Sequence, residues 1–515
     1  MQQFSETEKQ ILKKHVSNLD NNVYLIFNLP PEVRAVLFAY VSRSPLSFRE
    51  NLLKLLKGKE LNVSNLVEKY SGEELDFSKA NESAKAFHEK WVVGYGHSSI
   101  AEHAVASIAF EDVSIIASKV IEDNRLASYT EKSTRYQVFD KNRYYKPKKI
   151  MDSKFSGGYE KTCNNLFDLY WELTPKMMDF IKEKYPIEAG MNEKLYESVS
   201  KARACDNLRY LLPSSTLTNL AMTANARVLE HAIRKMLSNP LDEMQELGFK
   251  LKQEVTKVIP VLVKFADYNP YIANTEKKMY AICEPYSAEK PVKGNANEKE
   301  ENTAEKDVTL VDYDKEAENK LIVAILYRFT HKNFESLLDK AKKMGEKEKL
   351  KIIDEFLNEK SQFDSPLREL EHLNYAFDVL VDYGAFRDIQ RHRMCTQTNQ
   401  LVTTKNGYSL PEELIEAGFK KEFENAMLEA KETFEKIAEE MPYEAQYVVP
   451  LAYKKRVLMT WNLRELHHFI RLRSRKEGHI SYRKIAWHMY DELIKVHPFI
   501  AKYIACDKSE GPSRG

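Results

Sequence analysis

Several marks that assign a protein to a class at a glance are scarce or missing here. There is no charge imbalance: 78 Lys and Arg stand against 77 Asp and Glu, a formal net charge of +1. No overall field therefore draws the chain to a nucleic acid polymer or an anionic membrane, and any anionic ligand has to be held by a local cluster. Cysteine is sparse. The five residues Cys163, Cys205, Cys283, Cys395 and Cys506 are scattered and form no CxxC pair, which argues against a disulfide scaffold or a zinc site of the usual spacing and predicts a reducing, cytoplasmic setting. No window approaches the run of about 18 apolar residues that spans a bilayer. The opening MQQFSETEKQILKK lacks the cationic and apolar regions of a signal peptide.

What is present organises into two parts. A chain of 515 residues exceeds a single core, since domains run to roughly 100–200 residues. The stretch EPYSAEKPVKGNANEKEENTAEKD, residues 284–307, has almost no large apolar side chain and reads as a charged flexible linker. It divides the chain into 1–283 and 308–515. Helical periodicity dominates both parts, in AVASIAFEDVSIIASKVIEDNR, NLAMTANARVLEHAIRKML, NEKLYESVSKAR and NLRELHHFIRLRSRKEGHISYRKIAWHMYDELIKV. The β-prone runs VTLVDYD (308–314) and NRYYKP (142–147) predict a small, mainly antiparallel sheet. Strands do not alternate regularly with helices, so the expected class is α+β with long helices.

The parts repeat one another. LRYLLPSSTLTNLAMTANARVLEH (208–231) aligns without gaps to the segment ending at His468. Pro213, Asn225, Arg227 and His231 fall opposite Pro450, Asn462, Arg464 and His468. SIAEH (99–103) likewise has a counterpart in RELEH (368–372). The chain reads as a diverged tandem duplication.

Four clusters bear on chemistry, each with a plainer alternative. Arg391-His392-Arg393 suits a phosphate or an electron-rich ring, because guanidinium gives forked hydrogen bonds and also stacks; taken alone, the motif reads more readily as a solvated basic patch at a helix end. Asn462, Arg464, His468 and Arg473 recur at helical spacing and suit a polar ligand or a surface ion-pair face. His97, Ser99, Glu102 and His103 lie in GYGHSSIAEH, where a helix start offers amides to an anion or merely a cap; His97 and His103 are six apart, which is poor spacing for a metal. In DNRLASYTEKSTRY (123–136), Glu131, Ser133, Arg135 and Tyr136 share a side if the backbone is extended, either as a phosphate clasp or as an exposed charged turn.

Together these clusters resemble the flavin-dependent thymidylate synthases, whose signature reads RHRxxSxNExSxRY. The first half keeps Arg125, Ser128, Glu131, Ser133, Arg135 and Tyr136 but has Asp123, Asn124 and Thr130 for Arg, His and Asn. The second keeps Arg391, His392 and Arg393, then departs at Asn399, Leu401, Thr403 and Thr404. The family's HxSxxEH is intact as His97, Ser99, Glu102 and His103; its arginine before the LP step is Arg209 in one half and Gln446 in the other. The arginine ending its NxRxxxxFLxLR helix is Arg473, against Met236 in the first half. Where the family has Gln three residues before RHR, Asp388 stands.

The resemblance implies two tandem domains of that family with the signature split between them, and two chains recreating the family's tetramer as a pseudo-tetrameric homodimer. It implies reductive methylation of dUMP to dTMP with methylenetetrahydrofolate and NADPH by way of FAD, and no cysteine nucleophile. For dUMP it assigns Glu131, Ser133, Thr134, Arg135, Asp388, Arg391, Arg209 and Arg473, the last as the catalytic group. For FAD it assigns His97, Ser99, Glu131, Arg391, His392, Arg393, Asn462, Arg464, His468, Asn225, Arg227 and His231. The alternatives are a flavoenzyme acting on another pyrimidine nucleotide, and a non-catalytic nucleotide- or flavin-binding descendant.

Overall fold

A computed structural model describes residues 4–41, 44–57, 98–187, 189–287, 306–361 and 364–509. The chain forms two compact units. One comprises Met1–Val113, Val120–Glu131 and Thr218–Val292; the other comprises Ser114–Lys119, Lys132–Leu217 and Lys293–Gly515. Their boundary runs through the first half of the sequence. Most of the stretch read as a linker lies outside the described residues, although residues 284–287 continue the helix Pro270–Ser287.

In the first unit, helices Glu6–Lys13, Pro31–Val41 and Phe48–Lys57 close around Leu12, Val33, Val36, Leu37, Leu52 and Leu55. Ser5 and Glu8 start the first of these helices with a reciprocal capping box, which satisfies amides that have no partner within the helix. The three strands β1 (Val105–Ser114), β2 (Ala127–Glu131) and β3 (Leu217–Asn225) lie in the order β1-β3-β2. β2 runs antiparallel to β3, from Ala127 opposite Ala224 to Glu131 opposite Leu220.

Two segments expected to be helical are strands over their first parts. In β3, burial alternates through Leu220, Met222 and Ala224, a period of two. The 3.6-residue pattern begins only at Ala226, because Asn225 turns the chain and its side chain accepts the Val228 amide at 3.0 Å. AVASIAFEDVS likewise forms β1, and the helix Ile115–Ile121 takes only the end of the apolar run. The helix Ala226–Leu237 packs closely on Asp242–Val258, where a Cβ on Gly248 would stand 2.9 Å from Met236 Cβ.

The second unit holds β4 (Val308–Tyr313), β5 (Asn374–Asp382), β6 (Thr396–Asn399) and β7 (Lys454–Asn462), in the order β4-β5-β7-β6 with antiparallel pairing throughout. β4 is the strand expected from VTLVDYD. NRYYKP contributes a lone bridge, Tyr144 to Thr216. The order β5-β7-β6 repeats β1-β3-β2. The helices Tyr383–Ile389 and Leu463–Arg473 follow β5 and β7 just as Ile115–Ile121 and Ala226–Leu237 follow β1 and β3. The duplication is thus written in the topology, and the fold is α+β with a repeated domain. Among the described residues no helix is long and apolar enough to cross a membrane.

Inside the second unit the repeats meet face to face. Pro213 and Pro450, opposite one another in the alignment, form an antiparallel bridge. Ser214 donates to the Val449 carbonyl at 2.9 Å and Leu451 donates to the Leu212 carbonyl at 2.9 Å. Leu451 is the counterpart of Ser214, and Val449 that of Leu212, so each bond is the image of the other about a local two-fold axis. Beside it, helix Ser156–Lys184 meets helix Lys420–Ala438 through Thr162 and Thr433, whose hydroxyls lie 2.8 Å apart.

Candidate functional site

The second unit gathers four arginines that the sequence drew from both halves. After β2 ends at Glu131, the Ser133 hydroxyl accepts the Arg135 amide at 3.2 Å. The extended reading of this stretch therefore gives way to a turn, in which a local hydroxyl competes for a backbone donor. The turn buries Thr134 and Arg135 while leaving Tyr136 exposed. Arg135 grips Asp206 with a fork, Nε at 2.7 Å and Nη2 at 3.0 Å, and donates Nη1 to the Tyr482 hydroxyl at 2.9 Å. Burial opposes its charge, but the bonds and attraction of Asp206 raise its pKa. Thr134 accepts from Arg387 at 3.1 Å.

Arg209 is 1% exposed, yet its Nε and Nη2 have no hydrogen-bond partner among the described residues. The nearest carboxylate oxygen is Asp388 Oδ2, 3.8 Å from Nη1, beyond hydrogen-bonding range. A buried cation left short of acceptors is costly, and such a group points to a ligand. Its counterpart Gln446 is fully engaged: it accepts the Val402 amide at 3.0 Å and donates to the Tyr443 carbonyl at 3.0 Å.

Arg473, at the end of helix Leu463–Arg473, donates Nε to His392 Nε2 at 2.9 Å and Nη2 to the Asp388 carbonyl at 2.8 Å. His392 accepts at Nε2, so its proton sits on Nδ1 and goes to Glu465 at 3.1 Å. Burial, aided by the Arg473 charge against the opposing pull of Glu465, pushes this histidine down to about 4. It is a neutral strut. Arg473 Nη1 takes no part in these bonds. Arg391 is exposed and Arg393 half-buried.

Asn462 caps the same helix by accepting the Glu465 amide at 2.9 Å. Arg464 donates to the Pro366 carbonyl at 2.7 Å and to Glu371 at 3.0 Å. A cavity of about 220 Å³ opens here, lined by Arg464, Glu465, His467, His468 and Arg471. Buried His467 leaves Nδ1 without a partner among the described residues. A second cavity, about 760 Å³, is walled in part by Asp206, Tyr210, Asp382, Tyr408, His479 and Lys484; that volume suits a small-molecule ligand.

The remaining candidates lie in the first unit. Glu131 is buried at the end of β2, Ser99 and His231 are exposed, and Asn225 caps its helix. Arg227 pairs with Glu102 at 2.5 Å, as Arg464 pairs with Glu371. His97 falls outside the described residues.

Sequence reasoning missed Asp206, Glu465 and Tyr482, the groups that hold the arginines in place. Asp206 lies three residues before Arg209 in a helix whose last turns are buried, and an acid on a buried helical face was the available signal. Glu465 sat inside the aligned repeat. Tyr482 carried no pattern of its own.

The family model described as thymidylate synthase complementing protein matches twice, at residues 51–261 and 309–499. A UPF0159 protein of Chlamydia pneumoniae is 34% identical over 96% of this chain and 94% of its own length. The flavin-dependent thymidylate synthase of Pyrococcus furiosus is 26% identical over 38% of this chain and 72% of its own. A crystal structure of the flavin dependent thymidylate synthase from Helicobacter pylori, complexed with FAD and dUMP, overlays on 39% of this chain and 99% of that one, with 19% identity and a TM-score of 0.29. That overlay is too loose to bear on the site. Matched in two regions that together cover more than half of its length, the chain belongs to the thymidylate synthase complementing protein family.

Proposed function

We propose that the chain is a flavin-dependent thymidylate synthase whose working site draws on both halves, converting dUMP to dTMP with methylenetetrahydrofolate as carbon donor and NADPH as reductant. The observation that carries the reading is Arg209: a fully buried guanidinium, two of whose nitrogens lack an acceptor among the described residues, is a charge that a phosphate would satisfy. Family membership and the naming of the Pyrococcus furiosus relative support the same chemistry.

Arg209 takes the phosphate oxygens that its Nε and Nη2 are waiting for, with exposed Arg391 adding charge and Ser133 a hydroxyl. Arg473 is the catalytic group. With Nε and Nη2 tied to His392 and Asp388, its plane is fixed before substrate arrives, and Nη1 polarises the uracil edge and steadies negative charge on the ring. Arg135, committed to Asp206 and Tyr482, is a positioning residue. Arg464, His468 and Arg391 would hold FAD, while His392, with both ring nitrogens committed, braces Arg473. The donor set fits such a group, because the 220 Å³ cavity is lined by Arg464, His468 and Arg471, and the adjoining buried His467 has an Nδ1 without a partner among the described residues. Bound FAD supplies the redox chemistry. The roles of Glu131, Ser99, Asn225, Arg227, His231 and His97 rest on the resemblance alone, as do the homodimer and the cytoplasmic setting.

The test is to supply full-length protein with dUMP, methylenetetrahydrofolate, FAD and NADPH and to measure dTMP. Bound flavin without dTMP would turn the assignment to the second reading, a flavoenzyme of another pyrimidine nucleotide. Asp388, a carboxylate where the family has an amide, favours that reading.

A further inference from the structure

Asp388 is an odd tenant for a pocket that has to take an anion. It ends a helix, Tyr383–Ile389, that presses on Arg209: a Cβ on Gly384 would lie 3.4 Å from Arg209 Nε. Its carboxylate stands 3.8 Å from Arg209, and its carbonyl receives Arg473. Burial resists its ionisation, but Arg209, Arg135, Arg473 and Arg391 together outweigh that and hold the carboxyl below its ordinary range. Asp206 is already matched by the Arg135 fork. Four guanidinium groups, those of Arg209, Arg135, Arg473 and Arg391, act on Asp388, against the carboxyls of Asp388, Asp206 and, beside Arg209, Asp382, so the cations are in excess.

Resting on the nucleotide-site reading above, we propose that Asp388 sets the charge the site accepts: as a fixed anion inside the arginine cage, it admits a phosphate monoester dianion and disfavours di- and triphosphates. The attraction a ligand gains grows in proportion to its charge multiplied by the net charge of the cage. The cost of taking that ligand out of water grows with the square of its charge. One extra negative charge in the cage therefore lowers the ligand charge at which the two balance. An amide in the same place imposes no such limit.

The experiment titrates the full-length protein with dUMP, dUTP, inorganic phosphate and pyrophosphate at fixed ionic strength, for wild type, Asp388→Asn and Asp388→Gln. The expected wild type binds dUMP at least ten-fold tighter than dUTP, and pyrophosphate no tighter than phosphate. Both variants should narrow the dUMP-to-dUTP gap ten-fold or more. A wild type that takes pyrophosphate ten-fold tighter than phosphate overturns the proposal even if neither variant folds. Folded variants that strengthen mono- and triphosphate equally, or leave both unchanged, overturn it too, as does the absence of phosphate binding to every protein. The dTMP assay judges the parent reading separately: a charge-dependent gain without dTMP sinks that reading alone, and dTMP without the gain sinks only the role of Asp388.

Discussion

Arg473 owes its usefulness to being held at two points before any ligand is present. Lysine has one nitrogen where guanidinium offers three, so Arg473→Lys cannot reach His392 and the Asp388 carbonyl and still present a donor. We predict that Arg473→Ala abolishes dTMP formation and that Arg473→Lys lowers kcat by about 100-fold, read in steady-state assays, while Met236→Arg adds nothing. His392 makes this arrangement sensitive to acid. Its folded pKa, about 4, lies below its ordinary value of 6.5, so between these limits the unfolded chain binds the extra proton. Stability is whole above roughly pH 6.5 and falls toward pH 4. His467 and His479, depressed to about 4 and about 3 chiefly by burial, act in the same direction. Denaturant midpoints should drop on acidification through this window, and His392→Gln should flatten the slope. Asp206→Ala strands the Arg135 charge in the interior, for which a loss of about 3–5 kcal/mol is expected, measured by urea unfolding.

At the level of elements, strand and helix were confused wherever a strand runs straight into a helix without a break in apolar content. NLAMTANARVLEH is both, and the change of period at Asn225 is visible once the residue is recognised as a cap. The duplication was legible because Pro213, Asn225, Arg227 and His231 recur at fixed offsets. Arg209, Arg391 and Arg473 were legible by resemblance. The partners that hold Arg135 were not, since Asp206 and Tyr482 reach it from helices far along the chain and their local sequence is that of ordinary helices. The sequence left the stretch around Ser133 open between an extended clasp and a turn, because what decides it is the local bond from the Arg135 amide to the Ser133 hydroxyl. Packing between elements yields a further expectation. A Cβ on Gly248 would meet Met236 Cβ at 2.9 Å and the Leu237 amide nitrogen at 3.1 Å, and a backbone atom cannot rotate aside. Gly248→Val should cost about 1–3 kcal/mol, seen as a lower thermal midpoint.

Over the whole molecule, the second unit consists of Lys293–Gly515 together with Ser114–Lys119 and Lys132–Leu217 from the first half of the sequence. The segment beginning at Asp307 lacks, by itself, the strand partner at Pro213 and the helix against which Thr433 packs. Expressed alone, 307–515 should therefore be insoluble or lack a cooperative transition, and co-expression with residues 1–287 should recover soluble protein; sedimentation and circular dichroism decide this. The local two-fold at Pro213 and Pro450 has a consequence of its own. In an assembly of identical chains, a substitution beside such an axis is felt on both sides at once, and neither side can change alone. Joined in one polypeptide, the two sides mutate independently: Arg209 keeps an open buried cation while Gln446, its mirror, has settled into ordinary backbone contacts. Covalent linkage leaves such an interface free to specialise.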